Sequence, residues 1–275
     1  MARIVRYGAG AGPVAVYFHG VPGAPEECAR FDEAARADGV RLLCIDRGSL
    51  GDARDGEARF RRLAEEVAAL ADGAPVHLIG FSLGAFVALR VAAHLGPKAA
   101  SLDLVSAASP LELGDFLDGM AGKPVFTMAR RSPRLLAAMT AAQGWLATAA
   151  PARLFGMLFA TAAGEDRALA ADPAFRSMIG EVLRGALGPG RRGYLSDVQA
   201  YVRPWADRLP AVAAETRLWH GREDNWAPAA MAESLARTLP SVRQIEIAPG
   251  LSHYSCLFEA MPRILARIGD REPRA

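Results

Sequence analysis

The chain has 275 residues, 51% hydrophobic and 23% charged, which is enough for one large α/β domain, alone or carrying an insertion, with a core that needs no cross-links. Thirty-two Lys and Arg against thirty Asp and Glu leave a formal charge of +2, too balanced and too scattered to attract nucleic acid or an anionic membrane surface. No apolar run approaches the roughly 18 residues of a membrane span, so a soluble protein with a small-molecule substrate is expected.

Taken in chain order, Val14 to Phe18 is a short apolar run ending at His19-Gly20-Val21-Pro22-Gly23, the pattern of a buried strand entering a loop. Glu26 to Asp38 reads as a helix. Arg41 to Ile45 is a second strand, stopping at Asp46-Arg47-Gly48, and Ala58 to Ala71 follows with Phe60, Leu63, Val67 and Leu70 at helical spacing. A third cycle runs from the strand Val76 to Ile79 through Gly80-Phe81-Ser82 into the apolar helix Leu83 to Leu95, closed by Gly96-Pro97. Ser101 to Val105 is a fourth strand. Continuous apolar strands alternating with helices predict an α/β fold, a mostly parallel sheet covered on both faces.

The rhythm changes from Leu111 to Leu209, where Ala- and Arg-rich helical stretches such as Arg134 to Thr148 and Phe175 to Leu187 contain no persuasive strand. This predicts a helical insertion, residues 111–209, in a core formed by residues 1–110 and 210–275. The sheet resumes at Thr216 to His220, followed by a helix from Ala229 to Leu239, a strand from Arg243 to Ile247, and a last helix around Ser255 to Ile268. Arg271 to Ala275 reads as a frayed tail. Cys28, Cys44 and Cys256 are odd in number and show no metal-ligand spacing, which fits a reducing cytoplasm. Gly8 and Gly10 interrupt any signal-peptide core.

Gly80-Phe81-Ser82-Leu83-Gly84 matches the G-x-S-x-G nucleophile elbow, in which a tight strand-to-helix turn exposes a serine hydroxyl. In a glycine-rich chain that pattern arises by chance often enough that context must decide, and here a strand precedes it and a helix follows it. Serine needs a base to take its proton and an acid to orient that base. Of five histidines, His253 lies in a polar, turn-rich loop after the last strand and is the candidate base. His77 and His94 sit within the strand and helix flanking the elbow, and His220 closes a strand; all three read as structural.

For the acid, Gly221-Arg222-Glu223-Asp224-Asn225 follows a strand and so emerges at the sheet's carboxyl edge. Asp224 is the first choice, with Glu223, Glu112 and Asp115 as alternatives. A tetrahedral intermediate also needs preorganised donors for its negative charge, and the amides of Leu83, at the helix start, and Val21, in the His19 to Gly23 loop, are the candidates. Trp145, Phe155, Met157, Phe159 and Tyr201 are possible pocket walls, although residues at helical spacing are first of all core. Arg130-Arg131 and Arg191-Arg192 read as solvated faces. No phosphate loop or metal-ligand cluster appears, so no cofactor and no metal are expected.

His19 to Gly23, Asp46-Arg47 with Gly51, Gly80 to Gly84, Trp219-His220-Gly221 with Asp224 and Pro228, and Gly250 with His253 occur in an order that resembles bacterial members of the α/β-hydrolase superfamily with an HGxPG loop and a helical cap. The resemblance spans nearly the whole chain. It implies Ser82, Asp224 and His253 as a triad, Val21 and Leu83 as oxyanion donors, and residues 111–209 as a cap. Two departures stand out. Asp46 to Ala53 lacks the proline and final serine of the family's Asp-Arg-Pro-Gly-x-Gly-x-Ser pattern, and the short region before Val14 predicts fewer than eight strands.

The expected activity is hydrolysis of an ester or related acyl bond in a small, largely apolar substrate. Lyase, perhydrolase and carbon-carbon hydrolase chemistry, or an idle ligand-binding protein, are the alternatives on the same fold. A serine at the elbow argues against the aspartate-dependent dehalogenases and epoxide hydrolases of the superfamily.

Overall fold

The computed structural model describes residues 3–47 and 56–270. Of the divergent stretch from Asp46 to Ala53, all of Gly48 to Ala53 with Gly51 lies outside the described residues, as does the tail from Arg271 to Ala275. Seven strands form one sheet: β1 (Arg3–Gly8), β2 (Val14–Phe18), β3 (Arg41–Asp46), β4 (Val76–Phe81), β5 (Ala99–Val105), β6 (Thr216–Gly221) and β7 (Val242–Ala248), in the spatial order β1-β3-β2-β4-β5-β6-β7. β1 pairs antiparallel with β3, and all other pairs are parallel.

The burial of each strand follows from its place. β2, β4 and β6 are buried at every residue, as strands inside a two-faced parallel sheet must be, the polar His77, Arg217 and His220 included, whereas the edge strands β1 and β7 are only partly covered. β1 is an addition to the sequence reading. Its polar Arg3 and Arg6 interrupt the apolar run, and a strand paired on one edge needs no more burial than that. The sheet thus has fewer than eight described strands.

Around the sheet lie α1 (Asp32–Ala37), α2 (Glu57–Leu70), α3 (Gly84–Leu95), α10 (Ala230–Thr238) and α11 (His253–Gly269). The helix read from Glu26 begins instead as a 3-10 turn, Pro25–Phe31, leading into the short α1. Between β5 and β6 come α4 (Lys123–Arg131), α5 (Pro133–Ala149), α6 (Pro151–Leu158), α7 (Asp166–Ala171), α8 (Pro173–Leu187) and α9 (Arg191–Tyr201), with no strand among the described residues of that segment. Prolines at the first positions of α5, α6 and α8 suit helix starts, where a missing N–H costs nothing. Among the described residues no helix is long and apolar enough to cross a membrane.

Parallel strands put their carboxyl ends on one side, so the loops after Phe18, Phe81, Val105, Gly221 and Ala248 open along a single edge. In open α/β sheets such an edge is where ligands bind.

Candidate active site

Ser82 sits between β4 and α3 with φ 56°, a left-handed conformation that costs a non-glycine residue on the order of 1 kcal/mol or more and that cluster at functional sites exploits. The turn is held on both sides. The Ser82 amide donates to Val105 O at 3.0 Å, and its carbonyl accepts from Ala85 and Ala108 amides at 3.0 and 3.1 Å. Gly84 explains why the pattern needs glycine, since a Cβ there would lie 2.0 Å from the Phe18 carbonyl oxygen. The helix can therefore start against the end of β2 only without a side chain.

Asp224, in the turn after β6, and His253, which follows β7, come together. His253 Nδ1 is 2.8 Å from Asp224 Oδ2, while Asp224 Oδ1 accepts from the Trp226 and Ala227 amides at 2.8 and 2.9 Å. Both side chains are buried. Burial alone would favour their neutral forms, but each charge answers the other: the Asp224 carboxyl is held below its ordinary value, and the charge and hydrogen bond of Asp224 raise the imidazole of His253 above 6.5. Of the alternative acids, Glu112 is engaged elsewhere, accepting the Trp205 and Ala206 amides, and neither Glu223 nor Asp115 bonds His253 among the described residues.

His253 opens α11, where a loop had been expected. The signal was present in Ser252 and Ser255, which form a reciprocal capping box at the helix start. Asp166, from the first turn of α7, completes the clamp: its buried carboxylate accepts from the Tyr254 and Ser255 amides at 3.0 and 2.7 Å and from the Ser255 hydroxyl at 2.6 Å. On the other side Ser106, directly after β5, donates from its hydroxyl to the His253 carbonyl at 3.1 Å. Ser82 and His253 are thereby tied to the same strand end. The rings of Phe81 and Trp226 flank the imidazole at 4.8 and 5.5 Å, the latter nearly parallel.

A cavity of about 260 Å³ has Ser82, Leu83, Val21 and Pro22 in one wall and Met120, Val125, Phe126, Leu158 and Leu187 in others, with Trp226 beside them. Gln143, Thr161 and Tyr194 add polar atoms, and among the described residues no charged side chain lines it. Neither the Val21 nor the Leu83 amide is taken up by a backbone hydrogen bond among the described residues. Of the five side chains named as possible walls, Met157 alone lines this cavity. Phe155 and Phe159 stack at 4.5 Å within an aromatic cluster, Tyr201 packs on Phe86 and donates to Ser109 O, and Trp145 is 68% exposed. Trp226 and Tyr194 were not legible as lining residues, because their exposure to the cavity depends on which side of a turn or helix faces Ser82.

The other histidines have structural partners. His77 meets the Ser101 hydroxyl at 2.9 Å, His94 meets Glu57 at 2.7 Å, and His220 Nε2 is 2.7 Å from Ala227 O beneath Asp224. The Arg130-Arg131 and Arg191-Arg192 pairs are exposed, as a solvated face requires.

With this geometry in view, the family pattern described as Alpha/beta hydrolase family matches residues 12–268. The chain belongs to the alpha/beta hydrolase family. Among solved structures this hydrolase is similar to the enol-lactonase from Burkholderia xenovorans LB400, with a TM-score of 0.67 at 18% identity over 97% of this chain and 95% of that one. It is also similar to an esterase from Exiguobacterium antarcticum (TM-score 0.65, 19% identity, 97% and 95% covered) and to a thermophilic esterase from Thermogutta terrifontis (0.65, 18%, 97% and 92%). At such identities the likeness is one of fold. No curated protein matches the chain in sequence.

Proposed function

We propose that this alpha/beta hydrolase cleaves ester or related acyl bonds of small, largely apolar substrates through an acyl-Ser82 intermediate. The observation that carries the reading is the buried 2.8 Å contact between His253 and Asp224, at the same sheet edge as a strained serine that opens into an uncharged cavity. Asp224 engages Nδ1 of His253 and leaves Nε2 free to take the Ser82 proton as the hydroxyl attacks the acyl carbon. The amides of Val21 and Leu83, both in the cavity wall, would receive the oxyanion. The imidazolium then returns its proton to the leaving alcohol, and a water, activated by the same nitrogen, attacks the acyl-serine to release the acid and restore the hydroxyl.

The cavity supports the substrate class. Its apolar walls favour an acyl or alcohol group without charge, since a buried ion would find no partner there. Residues 111–209 act in this reading as the cap that shapes the cavity, supplying Met120, Val125, Phe126, Leu158 and Leu187. The esterase and enol-lactonase names of the structural neighbours agree with acyl chemistry.

The test is covalent. Wild-type protein should turn over short-chain 4-nitrophenyl esters and gain the mass of a fluorophosphonate at Ser82, and Ser82→Ala should lose both. Labelling that persists undiminished in Ser82→Ala would remove the assignment.

A further inference from the structure

We propose that Arg47, held by Asp197, is a positioning residue for the oxyanion hole: it fixes the Gly20–Val21 peptide so that the Val21 amide faces the Ser82 cavity. The proposal rests on the reading of Ser82 as nucleophile and Val21 as donor.

Arg47 and Asp197 are 2% and 1% exposed, and burying such charges is unfavourable unless each is paired and hydrogen-bonded. The guanidinium is used on three sides. Nε donates to Asp197 Oδ2 at 2.6 Å, one terminal nitrogen to the His19 carbonyl at 2.7 Å, and the other to the Gly20 carbonyl at 3.3 Å. The Gly20 oxygen also lies 2.9 Å from His19 Nδ1. Burial, with the charge of Arg47 adding to it, pushes the His19 imidazole down to about 3, so the ring is neutral and its Nδ1–H is the donor. Gly23 closes the cluster, because a Cβ there would fall 2.4 Å from the Gly20 oxygen and 2.6 Å from His19 Nδ1.

Across a planar trans peptide the C=O and N–H point in opposite directions. Two donors gripping the Gly20 oxygen therefore set the direction of the Val21 N–H on the far side of the same plane. That side is the cavity: Val21 lines it with Ser82, and a Cβ on Gly20 would stand 3.1 Å from the Ser82 Cβ. Hydrogen bonds to the carbonyl also polarise the amide, strengthening its N–H as a donor. An oxyanion donor acts at its best when its orientation is set before the charge forms, which is what a buried guanidinium provides.

Asp197 belongs to α9, in the segment between β5 and β6, and its other oxygen engages Arg59 of α2 while the neighbouring Ser196 hydroxyl accepts from Arg59. The orientation of the proposed donor is thus set from outside the sheet. A simple ion-pair lock between layers would not require the guanidinium to reach the two carbonyls of the loop that carries Val21.

The test compares wild type with Asp197→Asn and Arg47→Lys, using a short-chain 4-nitrophenyl ester and an aliphatic trifluoromethyl ketone, which adds to the serine to give a tetrahedral oxyanion. Both variants should lower kcat by about ten- to a hundredfold, the range below the loss of a whole donor, with KM changed less than about threefold. The inhibition constant for the ketone should rise in step with KM/kcat. Melting curves identify folded protein, and if Asp197→Asn is unfolded at the assay temperature, Asp197→Glu, which keeps the charge and displaces the guanidinium, takes its place with the same expectation. Folded variants with wild-type kcat and ketone affinity overturn the proposal alone. A wild type that neither turns over the ester nor forms the adduct overturns the functional reading and the proposal with it.

Discussion

Glu27 carries a prediction that concerns stability rather than catalysis. Its carboxyl is 1% exposed in the turn after the His19 to Gly23 loop, with Oε2 accepting from the Tyr17 hydroxyl at 2.8 Å and Oε1 without a hydrogen-bond partner among the described residues. Burial raises it from 4.5 to about 7, the Tyr17 hydrogen bond opposing that only in part. Between those values the folded protein holds a proton that the unfolded chain releases, so stability must fall as pH rises through the interval. At about 1.4 kcal/mol per pH decade the gap amounts to about 3 kcal/mol, absent below pH 4.5 and fully expressed above about 8. Glu27→Gln resembles the protonated acid in shape and cannot ionise. Urea unfolding of both proteins from pH 4.5 to 9 reads chiefly this group, since within that range the other coupled titration, that of His253, owes less to Glu27 than to Asp224 and Asp166. The variant should gain on wild type by about 3 kcal/mol across the range, whatever the offset at the acid end. Parallel stability curves would refute the argument, and with it the idea that this carboxyl is desolvated.

Two further predictions concern the proposed base. Because the general base must be neutral and Asp224 favours its cation, kcat/KM should rise with pH through an apparent value above 6.5, measured as a pH-rate profile on a non-ionising ester. Asp224→Asn removes that charge and should lower kcat by roughly 10⁴, as in comparable triads, and shift the remaining profile toward lower pH. Glu223→Gln should stay within about twofold of wild type in the same assay; a large loss there would return the acid role to Glu223. Gly84→Ala, which places a Cβ 2.0 Å from the Phe18 oxygen, should reduce the yield of folded protein and lower its melting temperature, read by thermal denaturation.

The sheet and the elbow were legible because their signals are local. Val76 to Ile79 is apolar but for His77, and Gly80 to Gly84 announces a turn that the backbone of Ser82 adopts. Strand order brings Glu223 and Asp224 alike to the carboxyl edge, where a carboxylate just after a parallel strand must emerge, and the resemblance to α/β-hydrolases singles out Asp224. What stayed hidden depends on contacts between distant segments. The helical start at His253 is secured by Asp166, 88 residues before Tyr254, and the partnership of Arg47 with Asp197 spans 150 residues. Nor does helical spacing say which face of α6 or α9 meets Ser82, so Met157 and Tyr194 line the cavity while Phe155 and Tyr201 serve packing.

Asp166 and Asp197 change how the insertion can be altered. One fastens the helix that begins with His253, the other the loop that carries Val21, and both come from the segment between β5 and β6. A segment with such attachments is not an interchangeable module. Replacing it with a foreign helical segment to change selectivity would release both fastenings unless the two aspartates travelled with it. Selectivity is better changed at wall positions such as Val125, Leu158 and Leu187, whose hydrocarbon side chains line the cavity and bond neither aspartate.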